Sequence, residues 1–205
     1  MIIKVCGLVD DQNIRDITSL DIDMIGLNFY PGSKRYVRKF NENIVFNIPK
    51  KVSKVGVFVD EKIDMVFETI SKYKLDYVQL HGSESISYCQ KAQKKAKVIK
   101  VFGIVDSDNI NDVVDGYGFC DFLLFDTKSI YHGGTGRKFN WNILNTYKEP
   151  TPFILSGGIG PEDNEIIKDI QHPQLKGIDI NSKFEKSPGI KIIEKVSYFI
   201  NNLKK

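Results

Sequence analysis

The sequence lacks the features of membrane, secreted and nucleic-acid-binding proteins. No apolar run among its 205 residues approaches the ~20 residues that a membrane-spanning helix needs. The first residues, MIIKVCGLVDD, include Lys4 within the apolar run and show no cleavage-site pattern, so we expect no signal peptide. The 29 basic and 26 acidic residues nearly balance, whereas a nucleic-acid binder concentrates its basic residues on one face. We therefore expect a cytoplasmic protein that binds neither membranes nor nucleic acids.

Cysteine is scarce, and so are features that would divide the chain. The three cysteines, Cys6, Cys89 and Cys120, have no CxxC spacing, and their odd number predicts neither a disulfide framework nor a zinc site. We expect no metal and no other cofactor. No linker, low-complexity tract or strong internal repeat interrupts the sequence, so we expect one domain over residues 1–205.

Short apolar segments are abundant and recur along the whole chain. Their nearly continuous hydrophobicity favours buried strands of a parallel sheet over the alternating strands of an antiparallel one. The eight candidate strands span residues 2–6, 24–29, 55–59, 75–80, 98–102, 122–125, 152–155 and 177–180. Segments between them, such as residues 61–73, and the segment 192–203 after the last have the apolar spacing of helices. Only residues 41–50 are ambiguous between a short helix and a loop.

Eight strands, each followed by a helix, predict βαβ units. Such units can close into a (β/α)8 TIM barrel, and 205 residues lies near the lower end of its usual size. The alternative, an open doubly wound sheet, normally has fewer strands and a G-x-G-x-x-G turn after the first strand, which is missing here. We therefore predict a single-domain α/β protein with the TIM-barrel fold.

Polar residues follow most of the candidate strands, at the barrel face where active sites lie. They are Cys6, Asn28, Asp60, Gln79, His81, Asp126, Ser156, Asp179 and Asn181. A cysteine at a strand end is often a small buried apolar residue, and an aspartate there often caps a helix or forms a turn. The capping interpretation suits Asp60 better than Asp126, because glycines rather than a helix follow Asp126. For His81 the alternative is a turn residue before a helix capped by Ser83.

Glycines after the seventh strand suggest an anion site. The segment SGGIGPED, residues 156–163, leads toward a helix with Pro161 near its first turn, where backbone N–H groups and the helix dipole attract anions. Paired glycines also make ordinary tight turns, but barrels often hold a phosphate in the loops after strands seven and eight. We predict that Gly157 and Gly158, with Ser182 and Lys183 after strand eight, bind the phosphate of a small phosphorylated substrate. Acid–base chemistry by Cys, Asp or His is favoured over metal-assisted hydrolysis.

Several segments, taken in chain order, resemble the phosphoribosylanthranilate isomerase family. They are KVCGL, GLNFYPGSKRYV, VGVFVDE, VQLHGSE, FDTK with GGTGRKFNW, LSGGIGPEDN and GIDINSKFEKSPGIK. They extend from residue 3 to about residue 191. The combination of K-[IV]-C-G at the start, QLHG in the middle and GGTG after a strand-end aspartate is highly specific for that family.

The resemblance implies an enzyme of tryptophan biosynthesis that catalyses the Amadori rearrangement of N-(5-phosphoribosyl)anthranilate. It implies that Asp126 is the general acid that protonates the furanose ring oxygen and that Cys6 is the general base that removes the C2 proton. It also implies that Arg35 faces the anthranilate carboxylate, to which a planar guanidinium is well matched. A thiolate near neutral pH needs positive potential nearby, since an unperturbed thiol has a pKa of about 8.5.

Four further residues are candidate substrate-binding positions: His81, Gly134, Gly136 and Asp179. We expect the GGTG segment to form a flap that closes over the sugar and excludes water from the Schiff-base intermediate. One position departs from the family pattern, because Lys183 stands where the family often has glycine. A positive φ at Lys183 would strain its backbone.

Two alternatives remain beside the isomerase. A histidine-pathway sugar isomerase would carry aspartate in place of Cys6 and show two-fold internal repetition, and a non-catalytic binding barrel would have lost Cys6 or Asp126. Neither pattern is present. The sequence leaves open whether the chain is a monomer or a homodimer.

Overall fold

The barrel is closed by eight parallel strands that follow one another in chain order, with β8 pairing back onto β1. The computed structural model describes residues 1–37, 45, 47–128 and 138–204. The strands are β1 Ile2–Cys6, β2 Met24–Asn28, β3 Ser53–Phe58, β4 Tyr77–Leu80, β5 Lys97–Ile104, β6 Phe122–Thr127, β7 Phe153–Leu155 and β8 Leu175–Ile180. All eight predicted strands are present, and the predicted TIM-barrel fold is confirmed.

Helices cover the outside of this barrel. They are α1 Asp11–Ser19, α2 Ile63–Tyr73, α3 Ile86–Gln93, α4 Ile110–Val113, α5 Asn164–Lys168 and α6 Ile193–Leu203. In α2 the buried residues Val66 and Ile70 lie one turn apart, so one stripe of the helix packs on the sheet. None of the helices in the described ranges is long and apolar enough to cross a membrane.

The two faces of each strand bury different residues because side chains alternate. On β1, Ile3 and Val5 point outward into the large core between strands and helices. Lys4 and Cys6 therefore point into the barrel. Seven apolar residues fill the barrel interior: Met24, Val55, Tyr77, Ile99, Val101, Leu124 and Ile154. The polar residues that form the site lie above this plug.

The helix expected after β6 is not an α-helix in the described part of that connection. Between β6 and β7 the described helical segment is a 3-10 helix, Trp141–Thr146, which Asn140 caps by accepting from the N–H of Asn142. Its buried residues, Trp141 and Leu144, are spaced by three, which matches the 3-10 repeat. The ambiguous segment 41–50 lies largely outside the described residues.

Two capping interpretations are also wrong. Asp60 does not cap α2, whose N-cap is Lys62, but adopts φ +48° and accepts from the N–H of Ser83 at 2.7 Å. Helix α3 is capped by Ser85 and not by Ser83. Asp60 lies in the turn after β3, and its carboxylate connects this turn to the loop after β4.

After β8 the chain does not enter a helix directly. A 3-10 turn, Ser182–Phe184, is followed by an antiparallel hairpin of β9 Glu185–Ser187 and β10 Ile190–Lys191. Helix α6 begins only beyond this hairpin. The insertion places additional charged side chains beside the end of β1.

Candidate active site

One pocket at the carboxyl ends of the strands brings most of the predicted site residues together. Those among its lining residues are Cys6, Arg35, His81, Asp126, Gly157, Gly158, Asp179 and Ser182. Lys183 lines an adjoining outer cleft, which shares Gly158 with the pocket and extends along α6. Gly134 and Gly136 lie outside the described residues. The outer cleft contains neither Cys6 nor Asp126, so the acid–base candidates belong to the inner pocket alone.

Cys6 ends β1 and is buried, with Lys4 two residues earlier on the same face. Lys4 is completely buried and donates from Nζ to Oδ1 of Asp179 at 2.9 Å. Burial opposes the charge on Lys4, but Asp179 and Cys6 outweigh it, so the pKa of Lys4 is raised. This side chain is a fixed ammonium group beneath the pocket.

The thiol of Cys6 experiences opposing influences. Burial raises its pKa most, the Lys4 ammonium lowers it, Asp179 raises it and Lys191 lowers it. The balance leaves the pKa of Cys6 above its ordinary value. The positive potential expected beside this cysteine is therefore present, although burial outweighs it.

Asp126 near the end of β6 has a pKa raised to about 6, first by burial and then by the negative charge of Asp179. The N–H of Thr127, which donates to Asp126 Oδ1 at 2.7 Å, and the Lys4 ammonium act in the opposite direction. Nε2 of His81 lies 3.7 Å from Asp126 Oδ2. A carboxyl group with a pKa near 6 can donate a proton close to neutral pH.

Gly157 and Gly158 follow β7 with positive φ angles of +89° and +69°. A Cβ atom on Gly157 would lie 2.4 Å from Oγ1 of Thr127 and 3.0 Å from Oδ1 of Asp126. Only glycine fits there, both for its backbone angle and for this close approach. The double-glycine loop thus passes directly beside the candidate acid.

The predicted helix start at Pro161 is displaced. Asp163 accepts from the N–H of Gly160 at 2.6 Å and closes a turn, so the five-residue α5 begins only at Asn164. The predicted anion site therefore depends on loop N–H groups more than on a helix end. Lys183 is exposed and unstrained, because the only described non-glycine residues with positive φ are Asp60 and Lys74.

Arg35 lines the pocket from the loop after β2 and is already paired with Glu185. Its Nε and Nη2 donate to the two carboxylate oxygens at 2.8 and 2.6 Å. Lys191, on β10, donates to the same carboxylate at 2.7 Å. The family resemblance implies a substrate carboxylate as the partner of Arg35, whereas Glu185 and Lys191 are not predicted from the sequence.

Two further residues in or beneath the pocket, Lys4 and Gln79, were not predicted as site residues. Lys4 carried a signal, since a lysine within an apolar strand needs a buried partner, but the sequence alone does not identify Asp179 as that partner. Gln79 is buried on β4 and lines the pocket, and its Oε1 accepts no hydrogen bond within the described ranges. An unpaired buried amide oxygen is costly and leaves an acceptor for a ligand hydroxyl.

A closed parallel barrel with a carboxyl group, a thiol and a double-glycine loop at its mouth has the arrangement of barrel enzymes that act on phosphorylated small molecules. A family model described as N-(5'phosphoribosyl)anthranilate (PRA) isomerase matches residues 3–202. The chain belongs to this family. The membership favours the isomerase over the two alternatives that the sequence left open.

Similar proteins cover the whole chain. The N-(5'-phosphoribosyl)anthranilate isomerase of Parabacteroides distasonis is 45% identical over 206 residues, which span 99% of this chain and 93% of the relative. The crystal structure of phosphoribosyl anthranilate isomerase from Thermotoga maritima has a TM-score of 0.87 at 31% identity, covering 100% of this chain and 99% of that one. A phosphoribosyl anthranilate isomerase in complex with reduced 1-(o-carboxyphenylamino)-1-deoxyribulose 5-phosphate has a TM-score of 0.84 at 29% identity, with coverage of 100% and 99%.

Proposed function

We propose that this chain converts N-(5'-phosphoribosyl)anthranilate to 1-(2-carboxyphenylamino)-1-deoxyribulose 5-phosphate in tryptophan biosynthesis, with Asp126 as general acid and Cys6 as general base. The observation that carries the proposal is that a family match over residues 3–202 coincides with an acid and a thiol in one pocket. We treat residues 1–205 as one catalytic domain.

Asp126 starts the reaction. It gives its proton to the ring oxygen while the bond between that oxygen and C1 breaks, and the nitrogen lone pair forms the C1=N bond of a protonated Schiff base. A pKa of about 6 supplies both a protonated fraction and sufficient acidity for this transfer. The neighbouring Asp179 charge supports the protonated form, since it raises the pKa of Asp126.

Cys6 completes the rearrangement. Its thiolate removes the C2 proton, the C–H electron pair forms a C1=C2 bond, and the C1=N π electrons return to nitrogen. The resulting enol tautomerises to the ketone product. Because Lys4 lowers the pKa of Cys6, the buried ammonium favours the thiolate that this step needs.

The Lys4–Asp179 pair serves both proton transfers. Its cation favours the thiolate of Cys6, while its carboxylate raises the pKa of Asp126. Each member also acts on the other group in the opposite sense, since Asp179 raises the pKa of Cys6 and Lys4 lowers that of Asp126. For Asp126, burial and Asp179 prevail and give a pKa of about 6, which suits a general acid near neutral pH.

The phosphate and the sugar are assigned to the surrounding loops. Backbone N–H groups near Gly157, Gly158 and Ser182 bind the phosphate, and the exposed ammonium of Lys183 adds positive potential. Asp179 and His81 contact the sugar region. The GGTG flap with Gly134 and Gly136 stays a prediction, as do a monomeric or homodimeric state and a cytoplasmic location.

Complementation tests this function. In a strain that lacks the isomerase, a plasmid with the wild-type gene should restore growth without tryptophan, and plasmids with Cys6→Ser or Asp126→Asn should not. Purified wild-type protein should also consume the anthranilate substrate with stoichiometric formation of the deoxyribulose phosphate product. Failure of the wild-type protein in both assays would refute the proposed function.

A further inference from the structure

Glu185 has an unusually complete set of hydrogen-bond donors around it. Its Oε1 accepts from Arg35 Nε at 2.8 Å, Lys191 Nζ at 2.7 Å and the N–H of Gly189 at 3.0 Å. Its Oε2 accepts from Arg35 Nη2 at 2.6 Å. The carboxylate is also almost wholly buried, with 5% of its side chain exposed. Four donors at such distances hold a carboxylate in one orientation.

Arg35 is held on both its stem and its guanidinium. The stem crosses the backbone at the end of β1, where a Cβ on Gly7 would lie 2.4 Å from Arg35 Cδ. The pairing with Glu185 occupies Nε and one N–H of Nη2, whereas Nη1 makes no hydrogen bond to the described residues. A guanidinium has a second edge, formed by Nη1 and Nη2, that can bind another carboxylate.

Lys191 determines the net charge of this group. An isolated Arg35–Glu185 pair would be neutral and would attract a substrate carboxylate weakly. The completely buried Lys191 side chain adds a second cation, which donates to Glu185 and, at 2.7 Å, to Oδ1 of Asn181. Burial lowers the pKa of Lys191 to about 8, against the opposing effect of Glu185. With Lys191 protonated, two cations and one anion leave a single positive charge beside the pocket.

We propose that Glu185, supported by Lys191, is a positioning residue that orients Arg35 toward the carboxylate on the aryl group of the substrate. The inference rests on the proposed function, since it concerns recognition of that substrate. Glu185 itself does not line the pocket and acts through Arg35. It therefore governs discrimination between carboxylated and uncarboxylated aryl groups and takes no part in the proton transfers.

The test compares Glu185→Gln with the wild-type protein on two substrates. One is N-(5'-phosphoribosyl)anthranilate, and the other is N-(5'-phosphoribosyl)aniline, which lacks only the carboxylate. With the anthranilate substrate, KM should rise about tenfold, as for loss of a charge-assisted contact, while kcat changes less than about threefold. With the aniline substrate, the substitution should change neither constant by more than about twofold. Glu165→Gln, an exposed glutamate on α5, is the matched control and should match wild type on both substrates.

A double-variant cycle separates positioning from general structural support. In an Arg35→Ala background, Glu185→Gln should add no further increase in KM, because the residue through which it acts is gone. The proposal would be overturned if the KM increases of the two single variants added up in the double variant. It would also be overturned if KM rose equally on both substrates, or if kcat fell while KM stayed constant. If Glu185→Gln does not fold, Glu185→Asp is tested instead. Aspartate keeps the charge, but its shorter side chain places the carboxylate oxygens farther from Arg35, so the same rise in KM at nearly constant kcat is expected. A wild-type protein inactive on the anthranilate substrate would refute the proposed function, whereas an active one with unaffected Glu185 variants would refute this inference alone.

Discussion

Two of the buried lysine–carboxylate pairs, Lys100–Glu84 and Lys4–Asp179, differ in their surroundings. Lys100 on β5 donates to Glu84 at 2.8 Å and to the carbonyl oxygens of Leu80 and Gly82 at 3.3 and 2.7 Å. Glu84 in turn accepts from the N–H groups of Gly82 and Asp60. All these other partners are backbone groups in or beside the loops after β3 and β4, so this pair fixes loop structure.

Lys100 and Glu84 also act on the pKa of Cys89, but that thiol does not line the pocket. The Lys4–Asp179 pair lies instead beside Cys6 and Asp126, which do line it. Lys4 lowers the pKa of Cys6, and Asp179 raises the pKa of Asp126. The difference predicts a structural role for the Lys100–Glu84 pair and, on the proposed mechanism, a catalytic role for the Lys4–Asp179 pair. Substitution in each pair should therefore have different consequences.

The largest effect on stability is expected from breaking the Lys100–Glu84 pair. Lys100→Met leaves Glu84 buried without its cation, which should lower the free energy of unfolding by about 3–5 kcal/mol. The kcat per folded molecule should stay within about threefold of wild type, because Lys100 is not a pocket residue. Urea unfolding and kinetics on the folded fraction measure the two quantities. Lys168→Met, which breaks an exposed pair with Glu165, is the control and should cost less than about 1 kcal/mol. A strong loss of kcat in folded Lys100→Met would contradict the contrast between the pairs.

Substitution of the two proposed proton carriers should have the next largest effect. Cys6→Ser and Asp126→Asn are each expected to lower kcat by at least ~10²-fold while substrate binding survives, because each removes one proton transfer. Steady-state kinetics with thermal melting as the folding control provides the measurement. The control Cys89→Ser alters a thiol outside the pocket and should retain the wild-type kcat per folded molecule. If a folded Cys6 or Asp126 variant retains more than about a tenth of the wild-type kcat, its activation free energy has risen by less than ~1.4 kcal/mol. That result would exclude the residue as a proton carrier.

Much of this arrangement could be predicted from the sequence, and the rest depends on long-range contacts. Continuous apolar segments identified all eight strands, and the barrel geometry then placed Cys6 and Asp126 at one face. Lys4 stood out within its strand, but its pairing with Asp179 joins residues 175 positions apart. Arg35 and Glu185 are separated by 150 positions, and Glu185 belongs to a hairpin that no periodicity indicated. Sequence patterns report which residues are buried, and contacts between distant charged side chains appear only after folding.

The pH dependence of stability should show a smaller effect. The pKa of Asp126 is about 6 in the folded protein and near 3.8 unfolded, so the folded state binds more protons between these values. The stabilisation from protonated Asp126 is therefore complete below pH 3.8 and is lost as the pH rises through 6. Relative to Asp126→Asn, the wild-type free energy of unfolding should fall by about 2 kcal/mol between pH 4 and 7. Parallel urea titrations of the two proteins at both pH values measure this change, and a constant difference would contradict a raised pKa for Asp126.

The smallest effect is expected when Lys4, the cation of the Lys4–Asp179 pair, is replaced. Lys4→Met should raise the pKa of Cys6 and lower kcat at pH 7 about tenfold, since one pKa unit reduces the thiolate fraction tenfold. Raising the pH should recover part of the loss, because the thiol still ionises. Kinetics between pH 6 and 9, expressed per folded molecule, measures this recovery. A loss of kcat that does not depend on pH would indicate damage to the pocket and not a change in the pKa of Cys6.

The central claim is that Lys4 favours the thiolate of Cys6, and the pH dependence of alkylation tests it most directly. The rate of iodoacetamide reaction at Cys6, identified by mass spectrometry of the modified peptide, reports the thiolate fraction without requiring turnover. We expect the alkylation midpoint of folded Lys4→Met to lie at least about one pH unit above that of wild type, while Lys100→Met shows no shift. An unchanged midpoint in Lys4→Met, or an equal shift in both variants, would contradict the account.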